Sequence, residues 1–462
     1  MSFAPSTSNL PQGEGGSKGS GEYFPDVPKV EYKGPESKDP LSYRYYNADE
    51  VIMGRPMKDW LRFSICFWHT FRGNGADPFG FPTASRAWDV AQRSNTEEAE
   101  EMVIAKQRVD AAFELFTKLG VEYYCFHDRD VAPEGISVEE SKQNLKTVVS
   151  YLKEKQEATG VKLLWATQNL FSHPRYMNGA FTNPDVNVVA YAGAAVKTVL
   201  DINNELGGEN VVFWGGREGY QSLLNTNVKR ELDHMAAMLR MAVDYAQRNG
   251  HTAQFLLEPK PREPTKHQYD YDAQTCIGFL KHYGLEKHFK LNIEPNHTTL
   301  AGHEFEHDIT VASQYGMLGS VDSNTGDTLL GWDTDQFPMD IKQATKLMGV
   351  VLDQGGLQPG GLNFDCKVRR ESTDTTDIAI GHIGAMDTFA RGLRIAAQIR
   401  ADGTLPKMIA DRYSSFDSGF GKDLEDGKLT LEDCEEYAIK IGEPKQTSGK
   451  QELFECILNQ YM

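Results

Sequence analysis

The run Leu291-Asn-Ile-Glu294-Pro-Asn-His297 is a short apolar stretch that ends in a carboxylate and breaks at once on proline. Three other runs share its shape: Phe255-Leu-Leu-Glu258-Pro-Lys260, Leu318-Gly-Ser-Val-Asp322-Ser-Asn324 and Gly361-Leu-Asn-Phe-Asp365. An apolar run of this length, bounded by Gly, Pro or Asn, reads as a strand buried on both faces. The acids lie 36, 28 and 43 residues apart, which is room for a strand, a loop, a helix and a return loop. Acids at the C-terminal ends of such strands face one mouth, where they repel one another unless a cation lies between them. The pattern therefore implies metal.

Four similar runs precede these: Phe63 to Trp68, Val121 to His127, Val161 to Thr167 and Asn210 to Trp214. Between them lie helical patterns, such as Glu97 to Leu119 and Lys229 to Arg248, with apolar residues at every third or fourth position. Eight strands alternating with helices predict an α/β fold, a (β/α)8 TIM barrel whose active site forms at the C-terminal strand ends.

The flanks read differently. Residues 1–22 are rich in Ser, Gly and Pro, without the apolar centre of a signal peptide, and are expected to be a disordered leader. An aromatic arm begins at Tyr23, so that arm and barrel together span 23–395. Residues 396–462 form a helical tail, with helix starts expected at Thr430-x-x-Asp433 and Ser448-x-x-Gln451. The tail has too little apolar content for its own core and is expected to pack on a neighbouring subunit.

The 462 residues are 40% hydrophobic and 25% charged, the composition of a soluble globular chain, and no stretch approaches the roughly 20 apolar residues of a membrane span. A net charge of −18 argues against a nucleic-acid partner, which needs a clustered basic surface. Six cysteines without CxxC pairing read as reduced thiols of a cytoplasmic protein.

Glu258, Glu294, Asp322 and Asp365 form a hard, all-oxygen set suited to Mg²⁺ or Mn²⁺. Glu294-x-x-His297 and Asp333-Thr-Asp335 suggest a second set, which the imidazole biases toward Mn²⁺ or Co²⁺. Taken alone, Asp-x-Asp is most often a turn and a lone His a satisfied core residue. His127 with Asp130 suits proton transfer, since a carboxylate holds the imidazole in one tautomer. The other reading of that segment is a surface ion-pair cluster with Arg129. Lys260 is placed either to stabilise an oxyanion or to balance the acids. Trp68, Trp165 and Trp214, near strand ends, either wall the mouth or pack the core. Gly73-Asn-Gly75-Ala-Asp-Pro78 fails as a dinucleotide fingerprint because proline takes the third glycine position. Asp322-Ser-Asn324-Thr-Gly326-Asp327 fails as a calcium loop at its fifth and sixth positions.

Several segments, in order, resemble the xylose isomerase family, of the long-chain type with an N-terminal extension. They are Phe67-Trp-His-Thr-Phe71, Cys125-Phe-His-Asp-Arg-Asp130, Phe213-Trp-Gly-Gly-Arg-Glu218, Leu257-Glu-Pro-Lys-Pro-Arg-Glu-Pro264, Trp332-Asp-Thr-Asp-Gln336 and Phe416-Asp-Ser-Gly419. The resemblance runs from about Tyr23 to the C-terminus. It implies reversible isomerisation of D-xylose to D-xylulose, and of D-glucose to D-fructose, by ring opening and a 1,2-hydride shift assisted by two divalent cations (Mg²⁺, Mn²⁺ or Co²⁺), with no nucleotide cofactor.

By resemblance, Glu258, Glu294, Asp322 and Asp365 hold a structural ion, while Glu294, His297, Asp333 and Asp335 hold a catalytic one. His127, supported by Asp130, assists ring opening, and Lys260 meets the sugar O1. Trp68, Thr167, Phe171 and Trp214 line the sugar pocket, and Phe79 reaches the pocket of a neighbour in a homotetramer. Ser323 and Cys366 stand where the family usually has Ala, and Pro295 and Gln168 are further departures beside expected ligands or pocket residues. A metal-dependent epimerase, a two-metal phosphoesterase and a non-catalytic ion- or sugar-binding protein are the rival readings. The phosphoesterase requires more Arg or Lys at the strand ends than Lys260 alone.

Overall fold

The computed structural model describes residues 21–92 and 99–462, so the expected leader lies outside the described residues apart from its last two positions. Eight strands close into a barrel in which every neighbour is parallel. They are β1 (Phe63–Cys66), β2 (Tyr123–His127), β3 (Lys162–Thr167), β4 (Asn210–Trp214), β5 (Gln254–Glu258), β6 (Phe289–Ile293), β7 (Leu318–Asp322) and β8 (Leu362–Phe364). The principal helices outside it are α1 (Glu100–Leu119), α2 (Val138–Thr159), α3 (Val186–Glu205), α4 (Val228–Arg248), α5 (Ala273–His282), α6 (His307–Gln314), α7 (Ile341–Gln354) and α8 (Thr375–Asp402). No described helix is long and apolar enough to cross a membrane.

Alternation along each strand divides the molecule into two cores. Outward residues such as Ile65, Phe126, Phe213, Leu257, Ile293, Val321 and Phe364 join the large cluster under the helices. Tyr123, Cys125, Leu164, Trp165, Val212 and Leu256 form a separate small cluster, with Trp68 against it. In β3 the pairing shifts, Tyr124 facing Leu163 but Cys125 facing Trp165. This one-residue bulge lets Leu164 and Trp165 both join the inner cluster and resets the alternation so that Thr167 lines the inner cavity.

Two boundaries differ from the sequence expectation. The strand expected from Phe63 to Trp68 ends at Cys66, and Phe67–Arg72 is a short helix. Aromatic propensity favours a strand here, but Phe67 and Phe71 stand one helical turn apart, are fully buried and pack with ring centroids at 5.3 Å. The boundary expected at 395/396 falls inside α8, whose exposed and buried residues alternate with helical period to Asp402. The break comes at Gly403, in left-handed backbone with φ 74°.

The tail then forms α9 (Thr404–Tyr413), α10 (Gly419–Glu425), α11 (Leu431–Ile441) and α12 (Gln451–Asn459), in none of which is a residue buried. The capping box at Thr430 and Asp433 is present. At the last helix Lys450, in left-handed backbone, precedes the first turn without a side-chain cap, and Ser448 Oγ accepts only from the Lys450 amide.

Candidate functional site

Each strand delivers its last inward side chain to one end of the barrel. His127, Thr167, Trp214, Glu258 and Asp322 are terminal strand residues, while Glu294 and Asp365 directly follow β6 and β8. A loop brings Asp333 and Asp335 over them, and a short helix, Pro295–Leu300, carries His297. Together with Trp68, Phe171 and Lys260, these residues line a cavity of about 250 Å³. That is below the roughly 300 Å³ from which drug-sized pockets begin, and suits a small polar molecule.

The carboxyl groups converge in overlapping triplets. Ligand atoms of Glu294, Asp322 and Asp365 lie within 4.8 Å of one another, as do those of Glu294, Asp333 and Asp335 and those of Glu258, Glu294 and His297. Burial and mutual repulsion push Glu258, Glu294 and Asp322 well above the usual carboxylate range. Asp333 is held well below it because Lys260 and His297 outweigh its burial, and Asp365 is lowered because His69 outweighs its own. Lys260 Nζ lies 2.8 Å from Asp333 Oδ2 and Lys367 Nζ 2.8 Å from Asp335 Oδ2.

These residues fit divalent cations. Seven carboxylates line the cavity, Glu263 included, against Lys260, Lys367 and a His69 held protonated, leaving four negative charges, the charge two divalent ions would balance. Glu294 Oε2 is buried and accepts no hydrogen bond. His297 Nδ1 faces the Pro259 carbonyl at 3.0 Å, and Nε2 faces Asp333 Oδ2 at 2.9 Å and Glu294 Oε2 at 3.2 Å. With Nδ1–H donated to the carbonyl, the Nε2 lone pair is free for an ion.

Beside the acids, Asp130 Oδ2 accepts from the His127 amide (2.7 Å) and lies 2.9 Å from its Nδ1. The imidazole edge meets Trp68 at 4.6 Å and Phe171 at 5.4 Å, and Phe171 meets Trp214 at 4.6 Å, giving a continuous aromatic wall. Trp68 Nε1 donates to Asp365 Oδ1 at 2.7 Å. The Thr167 hydroxyl is committed to the Val212 carbonyl at 2.6 Å. Phe79 stands apart from this cavity, 86% exposed, with its ring 6.5 Å from that of Trp332.

Sequence reasoning passed over the groups that orient the acids. Asn292 Nδ2 donates to Glu258 Oε2 (2.8 Å) and Asp322 Oδ2 (3.0 Å), Asn363 Nδ2 to Asp322 Oδ1 (2.8 Å) and Asn324 Nδ2 to Glu294 Oε1 (2.6 Å). The signal was present: each Asn stands two residues from an acid, and period two places both on one face. His69, adjacent to Trp68, was also missed. Its Nε2 is 3.2 Å from Asp335 and 3.1 Å from Asp365, which, against burial, push it up to about 9. The departures Ser323 and Cys366 touch each other, the Cys366 thiol donating to the Ser323 carbonyl at 3.0 Å. Burial pushes that thiol well up, so it is a neutral packing group.

Comparisons with known proteins point one way. Residues 120–329 match the family described as xylose isomerase-like TIM barrel, and residues 409–462 match the XylA2 C-terminal domain. The chain is 56% identical over 440 residues to the xylose isomerase of Bacteroides thetaiotaomicron, an alignment covering 95% of this chain and 99% of that one. It is 55% identical over 444 residues to xylose isomerase 1 of Xanthomonas campestris pv. campestris, covering 96% and 98% respectively. It is 52% identical over 441 residues to the xylose isomerase of Thermoanaerobacter pseudethanolicus, covering 96% and 99%.

Proposed function

Because the chain belongs to the xylose isomerase family, we propose that it is an aldose-ketose isomerase, interconverting D-xylose and D-xylulose reversibly and with divalent metal, and D-glucose and D-fructose likewise. The observation that carries the reading is one cavity in which crowded carboxylates stand opposite a carboxylate-oriented histidine and an aromatic wall.

One cation belongs among Glu258, Glu294, Asp322 and Asp365, a second among Glu294, His297, Asp333 and Asp335, with Glu294 shared. Cations held by these residues would supply Lewis-acid chemistry for a 1,2-hydride shift in the bound sugar. Oxygen donors with one imidazole suit Mg²⁺, Mn²⁺ or Co²⁺.

Side chains do the rest. Asp130 holds His127 with Nδ1–H toward the carboxylate, leaving Nε2 to take the O1 hydroxyl proton and return it at the ring oxygen as the pyranose opens. Lys260, kept protonated by Asp333 and Glu294 against its burial, offers its ammonium to O1 of the open chain. Trp68, Phe171 and Trp214 pack against the carbon face of the sugar and keep water from the transferred hydrogen. The enzyme works as a homotetramer in the cytoplasm. The tail from 403 onward, with no buried residue in its helices, covers its apolar side chains on a neighbouring subunit, and exposed Phe79 closes a neighbour's pocket. The six free thiols accord with a reducing compartment.

The test is to strip the protein with EDTA and follow D-xylulose formation from D-xylose with and without Mg²⁺, Mn²⁺ or Co²⁺. Turnover should vanish and return with metal. Metal binding without turnover on either sugar would refute the proposal and favour the non-catalytic reading.

A further inference from the structure

A second histidine-carboxylate cluster lies outside the cavity, where the loop after the Pro295–Leu300 helix enters α6. His303, His307 and Asp308 each offer a ligand atom, and the three atoms lie within 4.8 Å of one another. The His303 and His307 rings are 4.1 Å apart between centroids. Asp272, the N-cap of α5, stands against His303: its Oδ1 accepts from the Thr275 amide at 2.7 Å, and its Oδ2 lies 3.2 Å from His303 Nε2.

Packing alone leaves this cluster unsatisfied. Asp308 is 2% exposed, and its Oδ1 has no hydrogen-bond partner. His307 Nε2 is likewise buried without one. Buried polar atoms of this kind cost about 1–3 kcal/mol each, and native interiors leave few of them. An ordinary helix start does not need two imidazoles and a carboxylate to bring ligand atoms within 4.8 Å of one another with a second carboxylate against His303, whereas a cation gives such a group a partner.

We propose that His303, His307 and Asp308, with Asp272, form a third divalent-cation site that takes zinc-like ions. Two imidazole nitrogens and two carboxylate oxygens form the four-donor set typical of Zn²⁺, and differ from the oxygen-dominated cavity suited to Mg²⁺. The role of the site is structural. Thr298 Oγ1 donates within 3.3 Å of both Asp308 Oδ2 and the Glu294 carbonyl, so an ion there braces the short helix that carries His297. The inference is independent of the sugar reaction.

The full-length enzyme, held in excess Mg²⁺, is dialysed against Zn²⁺ and the metal content per subunit is measured for wild type, His303→Gln and the double variant H303Q/H307Q. Wild type should hold one more zinc per subunit than the double variant. The single variant, at a partly exposed position, should bind that zinc at least tenfold more weakly. Isomerase activity in Mg²⁺ alone, with far-UV circular dichroism, reports folding of each variant. Equal zinc content and affinity in wild type and folded H303Q would overturn the proposal, as would zinc that Mg²⁺ displaces completely from the wild type.

Discussion

Acid should unfold this protein partly through one residue remote from the acids. His382, on α8, is fully buried, with its ring 4.9 Å from Phe337 and 5.8 Å from Phe364. Its Nδ1 lies 2.8 Å from the Ile378 carbonyl, and its Nε2 has no partner. Burial lowers it from the ordinary 6.5 to about 4. In the unfolded chain it returns to the ordinary value, so between those limits the unfolded state holds the extra proton. Its contribution is complete above pH 6.5, erodes as pH falls, and is lost below about 4. About 2.5 units at about 1.36 kcal/mol each give about 3 kcal/mol.

His382→Leu removes the titration at the cost of one hydrogen bond, about 1 kcal/mol. Metal-free wild type and variant are unfolded in urea at pH 7.5 and 4.5, at one protein concentration, so that proton uptake by the cavity acids is common to both. The variant should be the less stable by about 1 kcal/mol at pH 7.5 and the more stable by about 2 kcal/mol at pH 4.5. Parallel stability curves across this range would show that His382 does not carry the effect and would refute the burial argument.

His127→Asn should lower kcat about 10²- to 10⁴-fold while metal content, measured by atomic spectroscopy, stays unchanged. Asn363→Leu removes a donor to Asp322 and should weaken metal binding by roughly 10- to 100-fold in a competition titration against a chelator. Phe79→Ala should lower kcat/KM roughly tenfold with no change in melting temperature, because the side chain is exposed on its own subunit and, in the proposed tetramer, would close a neighbour's pocket. Loading both ions at a hundred times their Kd should stabilise the fold by about 2.7 kcal/mol per site, read as a higher Tm in calorimetry than with EDTA.

The barrel was legible because each strand is a continuous apolar run with a polar stop, and the four acid tips recur at βα spacing. The helix at Phe67–Arg72 was not, because Phe67 and Trp68 continue the apolar run of the strand while Phe67 and Phe71 also make a one-turn helical pair, and only tertiary packing decides between them. The acids and His297 stood out by type and spacing. Asn292, Asn324 and Asn363 did not, since an amide beside a carboxylate on a strand is unremarkable until it is known that the strand faces inward. His69 lay inside a quoted motif, but nothing local says that it meets acids nearly 300 residues away. Stability of the tail cannot be read from its own sequence, because beyond contacts such as the Phe420–Tyr437 stack none of its helices buries a residue within the described part of the chain.

The single-residue bulge in β3 acts as a parity switch. Upstream of it odd-numbered residues point one way, and beyond it the assignment of inside and outside changes hands, which is what lets Trp165 stand beneath Trp68 and Thr167 reach the cavity. Keeping every residue but ironing out the bulge would leave the strand long enough to pair, yet send Trp165 into the helix layer, whereas deleting Leu164 would keep Trp165 inward at the cost of one inner side chain. Recombination among relatives, or grafting of strands into a regularised barrel, must therefore carry β3 together with its bulge, since counting alternate residues from its start delivers the wrong side chains to the sugar.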